Sequence, residues 1–317
     1  MIYDQALLAM TYTEAFLVTS RDLYAGTARD ILDFTIREMR DPEGGLFFSS
    51  QDADTRGEEG GYSIWTTDEI RSCLSREDYA TFCRTFAVED KGNFPEGMDA
   101  GKNILFMRQG ISPHTATASS HDTGSLAARE NLFKVRQKRT PPGLDNKCLT
   151  DMNGLMIAAL AKAGSGLREQ RYIHAAEQAA EFLLRHVRDE KGRLLHVYVS
   201  GASAQHALID DYAFLAWGLL ELYTATFKTS YFTEALRLTK ESIELFWDQH
   251  NGGFFMTAND AETVITRFKD FSDNAIPSGN AAAFGNLIRL ARLTGDSSFE
   301  NKACLLYTSP SPRDRQK

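Results

Sequence analysis

The chain has 317 residues, 43% of them hydrophobic and 25% charged, which is enough to bury one large core or two ordinary ones. Its formal net charge of -8 argues against a nucleic-acid-binding protein, because neutralising phosphates requires a basic face. The cysteines lack the paired spacing of a zinc site, so we expect free thiols, no metal and no cofactor at Cys73, Cys83, Cys148 and Cys304.

The start of the chain has no charged segment followed by an apolar one, so we expect no signal peptide. No apolar run approaches the roughly 18 residues of a membrane span, so we expect a soluble, cytoplasmic protein. The helical pattern of 286–303 breaks off into a Ser/Pro/Arg-rich segment, 304–317, that resembles a translated sequencing adapter. We therefore expect a barrel domain over 1–303, a non-native tail over 304–317 and a natural protein that continues beyond both ends.

Two kinds of helix alternate along the chain. Apolar helices, rich in Ala, Leu and Met, are predicted over Gln5–Val18, Gly154–Ala163, Tyr212–Phe227 and Gly279–Leu293. Amphipathic helices follow within 27–49, 174–198 and 234–257. An apolar circumference is typical of a helix that is covered on all sides, and an amphipathic one of a helix that faces water. The pattern predicts an all-α fold, an incomplete (α/α)6 toroid with four to five countable hairpins. The rest of the ring is missing or lies in the irregular stretch 60–146.

A Gly-Gly-apolar-Phe phrase follows two of the amphipathic helices, as GGLFF at 44–48 and GGFFM at 252–256. A middle copy keeps only Gly192. Each copy connects an outer helix to the next inner helix, so all copies fall on one face of the ring. The glycines allow turns with positive φ, and we expect the Phe residues to anchor these loops over the end of the barrel.

The same connectivity gathers the N-termini of the inner helices at that face, which we call the mouth. Polar residues there are either plain N-caps or the lining of a pocket in which helix dipoles favour anionic groups. Both roles stay open for Asp4, Asn153, Asp210, Asp211, Ser278 and Asn280, with Tyr212 beside them.

An acidic loop, 49–70, is the richest stretch for chemistry. It combines four carboxylates with glycines and two aromatic residues, namely Asp52, Asp54, Glu58, Glu59, Tyr62 and Trp65. Crowded carboxylates near aromatic rings are typical of sugar chemistry, where one acid donates a proton and an ionised partner acts as base or nucleophile. The alternatives are a calcium loop, whose spacing does not match an EF-hand, and a solvated acidic loop. The capping box TTDE at 66–69 is expected to start the next helix.

Later segments add further candidate ligands. Lys147 precedes an inner helix, and Asp273 precedes Ser278. Arg267 and Lys269 share a face of an extended segment, where they either hold an anionic or polyhydroxyl ligand or form a surface salt bridge. None of the seven histidines belongs to a local metal or triad motif, which argues against nucleophilic triad chemistry.

Several long motifs in the right order resemble the YyaL / spermatogenesis-associated protein 20 family. They are the segments 44–70, 101–106, 144–164, 210–227 and 252–280. The resemblance covers nearly all of 1–303. It implies a barrel similar to six-hairpin glycosidases and to the N-acylglucosamine 2-epimerases, preceded in the family by a thioredoxin-like domain that this chain lacks. Two positions depart from the family pattern: Met152 replaces a Trp of the mouth, and Asp145-Asn146 replaces an acidic pair.

Two functions follow as hypotheses. The first is a carbohydrate-active barrel that binds a sugar and hydrolyses or isomerises it. Its acid/base carboxylates would be Asp52, Glu58 or Glu59 opposite Asp210 or Asp211. Epimerase chemistry ranks lower because no histidine occupies an inner-helix position. The second is a non-catalytic barrel that works with the thioredoxin-like domain in redox or protein quality control.

Overall fold

A computed structural model describes residues 1–94, 101–108, 120–262 and 265–308, without the side chains of 120–126. Its helices are α1 (Ile2–Thr19), α2 (Asp22–Glu38), α3 (Thr67–Cys73), α4 (Arg76–Thr85), α5 (Ser120–Arg136), α6 (Thr150–Gly166), α7 (Gln170–His186), α8 (Ile209–Thr226), α9 (Thr229–Phe246), α10 (Gly279–Thr294) and α11 (Ser297–Thr308). Its strands are β1 (Ser50–Gln51), β2 (Asp54–Thr55), β3 (Glu58–Glu59), β4 (Trp65–Thr66), β5 (Lys102–Asn103), β6 (Leu144–Asp145), β7 (Cys148–Leu149), β8 (Leu195–Val199) and β9 (Ala202–His206).

The chain divides into two compact units. The first contains Met1–Leu17, Ala28–Ser50 and Asn146–Lys317, and the second contains Val18–Thr27 and Gln51–Asp145. The first unit holds the predicted hairpins, since α7 packs on α6, α9 on α8 and α11 on α10. Helices α6 and α8 are buried along most of their length, whereas α7 and α9 are buried on one face. The distinction between inner and outer helices is therefore confirmed.

The central inner helices approach each other closely because glycines face each other at their crossing. A Cβ added to Gly154 of α6 would lie 2.5 Å from the backbone nitrogen of Leu215 in α8. One added to Gly218 of α8 would lie 2.7 Å from the carbonyl oxygen of Gly154. This contact draws the N-terminal turns of α6 and α8 together, and those turns carry the acidic residues of the mouth.

Each crossover from an outer to an inner helix is built around one aspartate. The carboxylates of Asp41, Asp189 and Asp248 each accept hydrogen bonds from two peptide N–H groups within the following five residues. Each loop then turns back through glycine with positive φ, as predicted, at Gly45, Gly192, Gly252 and Gly253. Antiparallel bridges close the three loops at Arg40–Phe47, Arg188–Leu194 and Trp247–Phe254.

The Gly-Gly-apolar-Phe phrase is held by the next inner helix. The buried side chain of Asn153 accepts the N–H of Phe47 at 2.8 Å and donates to its carbonyl at 2.9 Å. Asn280 does the same for Phe254, at 2.8 and 3.0 Å. Phe47 and Phe254 are fully buried, so the prediction that they anchor these loops is confirmed. The repeated phrase thus fixes each crossover to the first turn of the helix that follows it.

The second unit has its own core. Helices α3, α4 and α5 enclose Trp65, Ile70, Phe82, Phe86, Ala128 and Leu132. The β2–β3 hairpin pairs Asp54 with Glu59 and Thr55 with Glu58. The predicted capping box is confirmed, because Thr66 and Glu69 bond reciprocally at the start of α3.

The structure corrects some of the predicted boundaries. The pattern over 286–303 is two helices, because Gly295 ends α10 in a left-handed conformation and α11 begins at Ser297. Part of the predicted tail, 304–308, completes α11, and 309–317 lie outside the described residues. The stretch predicted to be irregular, 60–146, contains three helices. Helices α6 and α8 begin before Gly154 and Tyr212, so their polar residues lie inside the first turn.

The substitution Asn153→Ala tests the connection between phrase and helix. It leaves the peptide groups of Phe47 and the carbonyl of Leu149 without their buried partner. We expect the free energy of unfolding to fall by about 3 kcal/mol in urea denaturation. The exposed control Asn274→Ala should stay within about 0.5 kcal/mol of the wild type. Equal effects of the two substitutions would contradict the proposed anchoring.

Candidate functional site

A buried carboxylate, Asp211, organises the mouth of the first unit. Its side chain is 0% exposed and accepts the N–H of Asp151 at 2.9 Å and the N–H of Leu208 at 2.7 Å. The Nδ1 atom of His196 lies 2.9 and 3.0 Å from its two oxygens. Since both peptide groups are donors, the carboxylate acts as an acceptor toward all three neighbours. Asp211 therefore favours the His196 tautomer with a proton on Nδ1.

His196 reaches this position from a strand. It lies on β8, which pairs with β7 on one side and with β9 on the other. Strand β7 directly precedes α6 in the sequence, and β9 directly follows β8. The second residues of the three bridges occupy equivalent positions in the repeat. Two positions after them the crossovers carry Ser49, His196 and Met256, respectively. In the inner helices, Asn153, Tyr212 and Asn280 occupy equivalent positions. The residues directly before them are Met152, Asp211 and Gly279, respectively. The middle crossover therefore carries a His–Asp pair where the other two do not.

The exposed side of the pair is the remaining ring nitrogen. The His196 side chain is 20% exposed, and Nε2 has no hydrogen-bond partner among the described residues. The hydrogen bond to Asp211 raises the pKa of His196 above its ordinary value, against the opposing effect of burial. An imidazole that is oriented at Nδ1 and free at Nε2 is equipped to take and return a proton.

The charges of two further carboxyl groups, those of Asp151 and Asp210, interact with the imidazole. Burial, followed by repulsion from Asp211, raises the pKa of Asp151 to about 6. Burial, followed by the charges of Asp151 and Asp270, raises the pKa of Asp210 to about 6 as well. Full burial also raises the pKa of Asp211, while His196 and the two peptide groups oppose that rise. Near neutral pH the mouth thus holds two carboxyl groups poised between acid and base.

Asp210 fits in this position because glycine stands opposite. A Cβ added to Gly279 at the start of α10 would lie 2.1 Å from Oδ1 of Asp210. That oxygen is buried and makes no hydrogen bond of good geometry, although the nearby N–H of Gly279 lowers the pKa of the group to some extent. An under-satisfied buried carboxyl is costly to stability, which makes Asp210 a candidate functional group.

The cluster also has the size of a metal site. Ligand atoms of Asp151, His196 and Asp211 lie within 4.8 Å of one another. However, both oxygens of Asp211 already accept peptide N–H groups, and Nδ1 of His196 is engaged by the same carboxylate. A hydrogen-bonded His–Asp pair explains these contacts without a cation.

Comparison with known proteins identifies relatives along the whole chain. Spermatogenesis-associated protein 20 of Homo sapiens is 32% identical over 351 residues, covering 100% of this chain and 44% of that protein. Its counterpart from Mus musculus is 33% identical over 353 residues, with coverages of 100% and 44%. The chain belongs to the spermatogenesis-associated protein 20 family. It spans less than half the length of these relatives. No protein-family model matches the sequence.

Among solved structures, a D-mannose isomerase aligns with 96% of this chain and 73% of its own. The sequence identity is 12% and the TM-score is 0.50. A likeness at this identity concerns the fold alone. It confirms the predicted class, an α/α toroid of helical hairpins. Over the described residues, no helix has the length and apolar character needed to cross a membrane.

The polar residues predicted at the mouth have separate roles. Ser278 is the N-cap of α10, and the carboxylate of Asp273 accepts its N–H at 2.9 Å. The N-cap alternative is wrong for Asn153, Asp210, Asp211 and Asn280, which lie within the first turns. Tyr212 is buried and donates its hydroxyl to Glu241 at 2.7 Å. Asp4 pairs with the chain's amino group at 3.4 Å, and Lys147 is exposed.

The two cations predicted near the mouth are already engaged. Lys269 pairs with Asp248 at 2.7 Å and donates to the carbonyl of Gly252. Arg267 donates to the carbonyls of Thr257 and Leu245 and lies 4.2 Å over the ring of Phe255. Both side chains therefore tie the segment before α10 to the last phrase. Their contacts match the structural alternative, and a ligand role stays a prediction.

The acidic loop belongs mainly to the second unit. Asp52, Glu58 and Glu59 are exposed, and Glu58 pairs with Lys102 at 3.2 Å. The guanidinium of Arg136 lies 5.1 Å over Tyr62, and that of Arg139 lies 3.9 Å over the buried Trp65. Trp65 is thus a core residue with a covered face. That these acids face Asp210 and Asp211 across one mouth stays a prediction.

Sequence reasoning missed His196 and Asp151. Epimerase-like chemistry predicts a histidine on an inner helix, whereas His196 lies on a strand of the middle crossover. Asp151 stands beside Asn153 without any motif of its own. The repeat alignment carries the missing signal, since it places His196 level with Ser49 and Met256, and Asp151 level with Asp210 and Ser278.

The raised pKa of Asp210 predicts a stability change with pH. An unfolded aspartate titrates near 4, so between about pH 4 and 6 the folded chain holds an extra proton and stability falls as pH rises. Asp210→Asn removes this cost and should raise the free energy of unfolding by about 1–3 kcal/mol at pH 7.5. At pH 4 the gain should disappear. Urea denaturation across this range measures both effects.

The exposed acid Glu244 provides the control. Glu244→Gln should leave the pH profile of stability unchanged. A profile for Asp210→Asn that runs parallel to the wild type from pH 4 to pH 8 would show that Asp210 is ionised in the folded chain without cost.

Proposed function

We propose that the first unit is the catalytic part of a carbohydrate-active enzyme that moves a proton on a sugar, as in aldose–ketose isomerisation or epimerisation. The observation that carries the proposal is the His196–Asp211 pair, which leaves Nε2 of His196 without a partner among the described residues, together with two carboxyl groups of raised pKa whose charges interact with His196. The likeness in fold to a D-mannose isomerase supports the choice of sugar as substrate.

The imidazole and the carboxyl groups have different roles in this reaction. His196 acts as the base that removes a proton from the carbon next to a sugar carbonyl. Asp151 or Asp210, protonated near its pKa of about 6, donates a proton to the carbonyl oxygen as negative charge develops there. The product of these two transfers is an enediol. Returning the proton to the neighbouring carbon, while the ionised carboxylate takes the hydroxyl proton at the original carbon, gives the isomer. Protonating the original carbon on its opposite face, while the carboxylate takes back the proton from the former carbonyl oxygen, gives the epimer. Asp211 stabilises the imidazolium formed meanwhile.

Asp211 takes a different role from the one predicted from the sequence. A fully buried carboxylate with three hydrogen-bond donors around it has no free oxygen for a substrate. It is a positioning residue. Glycoside hydrolysis would instead need two carboxyl groups facing the sugar, for which Asp210 with Asp52, Glu58 or Glu59 remains the alternative.

Exchange with solvent deuterium tests the proposal. Aldoses and ketoses are incubated with the protein in D2O, and proton NMR follows loss of the signal at the carbon next to the carbonyl. We expect exchange with the wild type, a loss of at least a hundredfold in His196→Gln, and a loss of about tenfold to a hundredfold in Asp211→Asn. Asp211→Asn should also shift the acid limb of the pH–rate profile to lower pH.

His206→Gln is the matched control, because His206 lies exposed on β9 of the same hairpin. It should retain the wild-type rate. Release of aryl alcohol from aryl glycosides without any carbon-bound exchange would contradict proton transfer and favour hydrolysis. Inactivity toward both substrate classes in a folded, full-length protein would defeat a catalytic role.

A further inference from the structure

Three arginines meet between α7, α8 and α9, apart from the His–Asp pair. Arg188 and Arg193 lie on the crossover after α7, and Arg237 lies on α9. Nη2 of Arg188 and Nε of Arg237 share Oε2 of Glu234, at 3.2 and 3.0 Å. Nη1 of Arg193 bonds Asp260 at 2.5 Å. We call this group the arginine cluster.

Glu241 and Tyr212 connect the members of the arginine cluster. Nη1 of Arg237 donates to Glu241 at 2.7 Å, and Glu241 also accepts the hydroxyl of Tyr212 at 2.7 Å. Arg188 and Arg193 both lie close enough to Tyr212 for their charges to interact with it. Tyr212 thus interacts with Arg188 and Arg193 and is connected through Glu241 to Arg237.

Four buried nitrogens of this cluster have no acceptor of good geometry among the described residues, although the Tyr212 hydroxyl lies near enough to Arg193 to raise its pKa. They are Nε of Arg188, Nε and Nη2 of Arg193, and Nη2 of Arg237. A buried donor without an acceptor costs about 1–3 kcal/mol, and arginine does not escape this cost by losing its proton. The acidic neighbours do not satisfy these atoms, because they bond other nitrogens of the same groups.

The local charge also favours an added anion. The pKa of Arg188 is lowered, first by burial and then by the positive charge of Arg237, while Glu234 and Glu241 oppose this shift. A negative group beside Arg188 would relieve both effects. The side chains of Arg188 and Arg193 are 15% exposed and that of Arg237 is 39% exposed, so each keeps some contact with solvent although the four nitrogens are buried.

We propose that Arg188, Arg193 and Arg237 form a binding site for a phosphoryl group, either free or carried by a sugar. A tetrahedral oxyanion offers several acceptor oxygens to the planar donor forks of arginine, and the unsatisfied nitrogens match this requirement. The site is distinct from the His–Asp pair. Its occupation would fix the crossover that leads directly into β8.

Titration calorimetry with inorganic phosphate tests this site at pH 7.5, with ionic strength held constant by sodium chloride. Wild-type protein should bind one phosphate saturably in the millimolar range or tighter. Arg188→Met and Arg237→Met should each weaken binding at least tenfold. Arg185→Met is the matched control, because Arg185 lies on α7, is 72% exposed and should leave binding unchanged.

Glu241→Gln separates a binding role from a structural one. Removing this negative charge should tighten phosphate binding severalfold, an effect that loosened packing would not produce. Far-UV circular dichroism verifies that each variant is folded, and Glu241→Gln and Arg185→Met decide the question if the arginine variants unfold. Glucose 6-phosphate and glucose distinguish the source: a sugar phosphate that binds tighter than phosphate identifies a phosphorylated sugar, and equal binding identifies the free ion.

Two results would overturn the proposal. One is that neither phosphate nor glucose 6-phosphate binds saturably, even at ligand concentrations well above the expected millimolar dissociation constant. The other is equal weakening by Arg185→Met and Arg188→Met. Because the readout is binding rather than turnover, either result leaves the proposed proton transfer untouched.

Discussion

The buried carboxylate of Asp211 is the constraint on which the mouth of the first unit depends. A carboxylate removed from water is stable only when donors surround it, and here two peptide groups and one imidazole fill that role. The requirement fixes three separate parts of the chain: the first turn of α6, the start of α8 and strand β8. The arrangement that stabilises the charge also orients His196.

The repeat explains how such a pair arises within a regular fold. Every crossover in the first unit uses the same parts, namely an aspartate that nucleates the turn, glycine with positive φ and a bridged apolar residue. The side chains of Asn153 and Asn280 form hydrogen bonds with the backbone of two of these crossovers. The middle crossover carries Tyr212 at that level and extends into the β8–β9 hairpin. The His–Asp pair lies where the repeat departs from its own pattern.

The sequence was sufficient for the architecture because hydrophobic periodicity reports burial directly. Helices α6 and α8, which are apolar on most of their circumference, and the amphipathic α7 and α9 have the burial that their patterns predict. The glycines and the capping box at Thr66 were readable for a similar reason, since each depends on local backbone geometry. The break at Gly295 was missed because both sides of it carry helical periodicity.

The candidate site was only half readable because its contacts are long-range. Asp210 and Asp211 are predicted from the sequence as acids of the mouth, but only coordinates show that Asp211 is enclosed while Oδ1 of Asp210 is buried without a well-aligned donor. Likewise, the sequence places Trp65 among the aromatic residues expected near a sugar, whereas in the structure Arg139 covers a face of its ring. Side-chain type suggests chemistry, whereas burial and neighbours decide which residue is free to perform it.

Nitrogen-15 NMR of histidine-labelled protein measures the central pair most directly, with His196→Gln used to assign the signal. The account predicts a neutral His196 protonated at Nδ1 and a titration midpoint above the ordinary value of about 6.5, lowered in Asp211→Asn. A neutral ring protonated at Nε2, or a midpoint at or below 6.5 in the wild type, would contradict it.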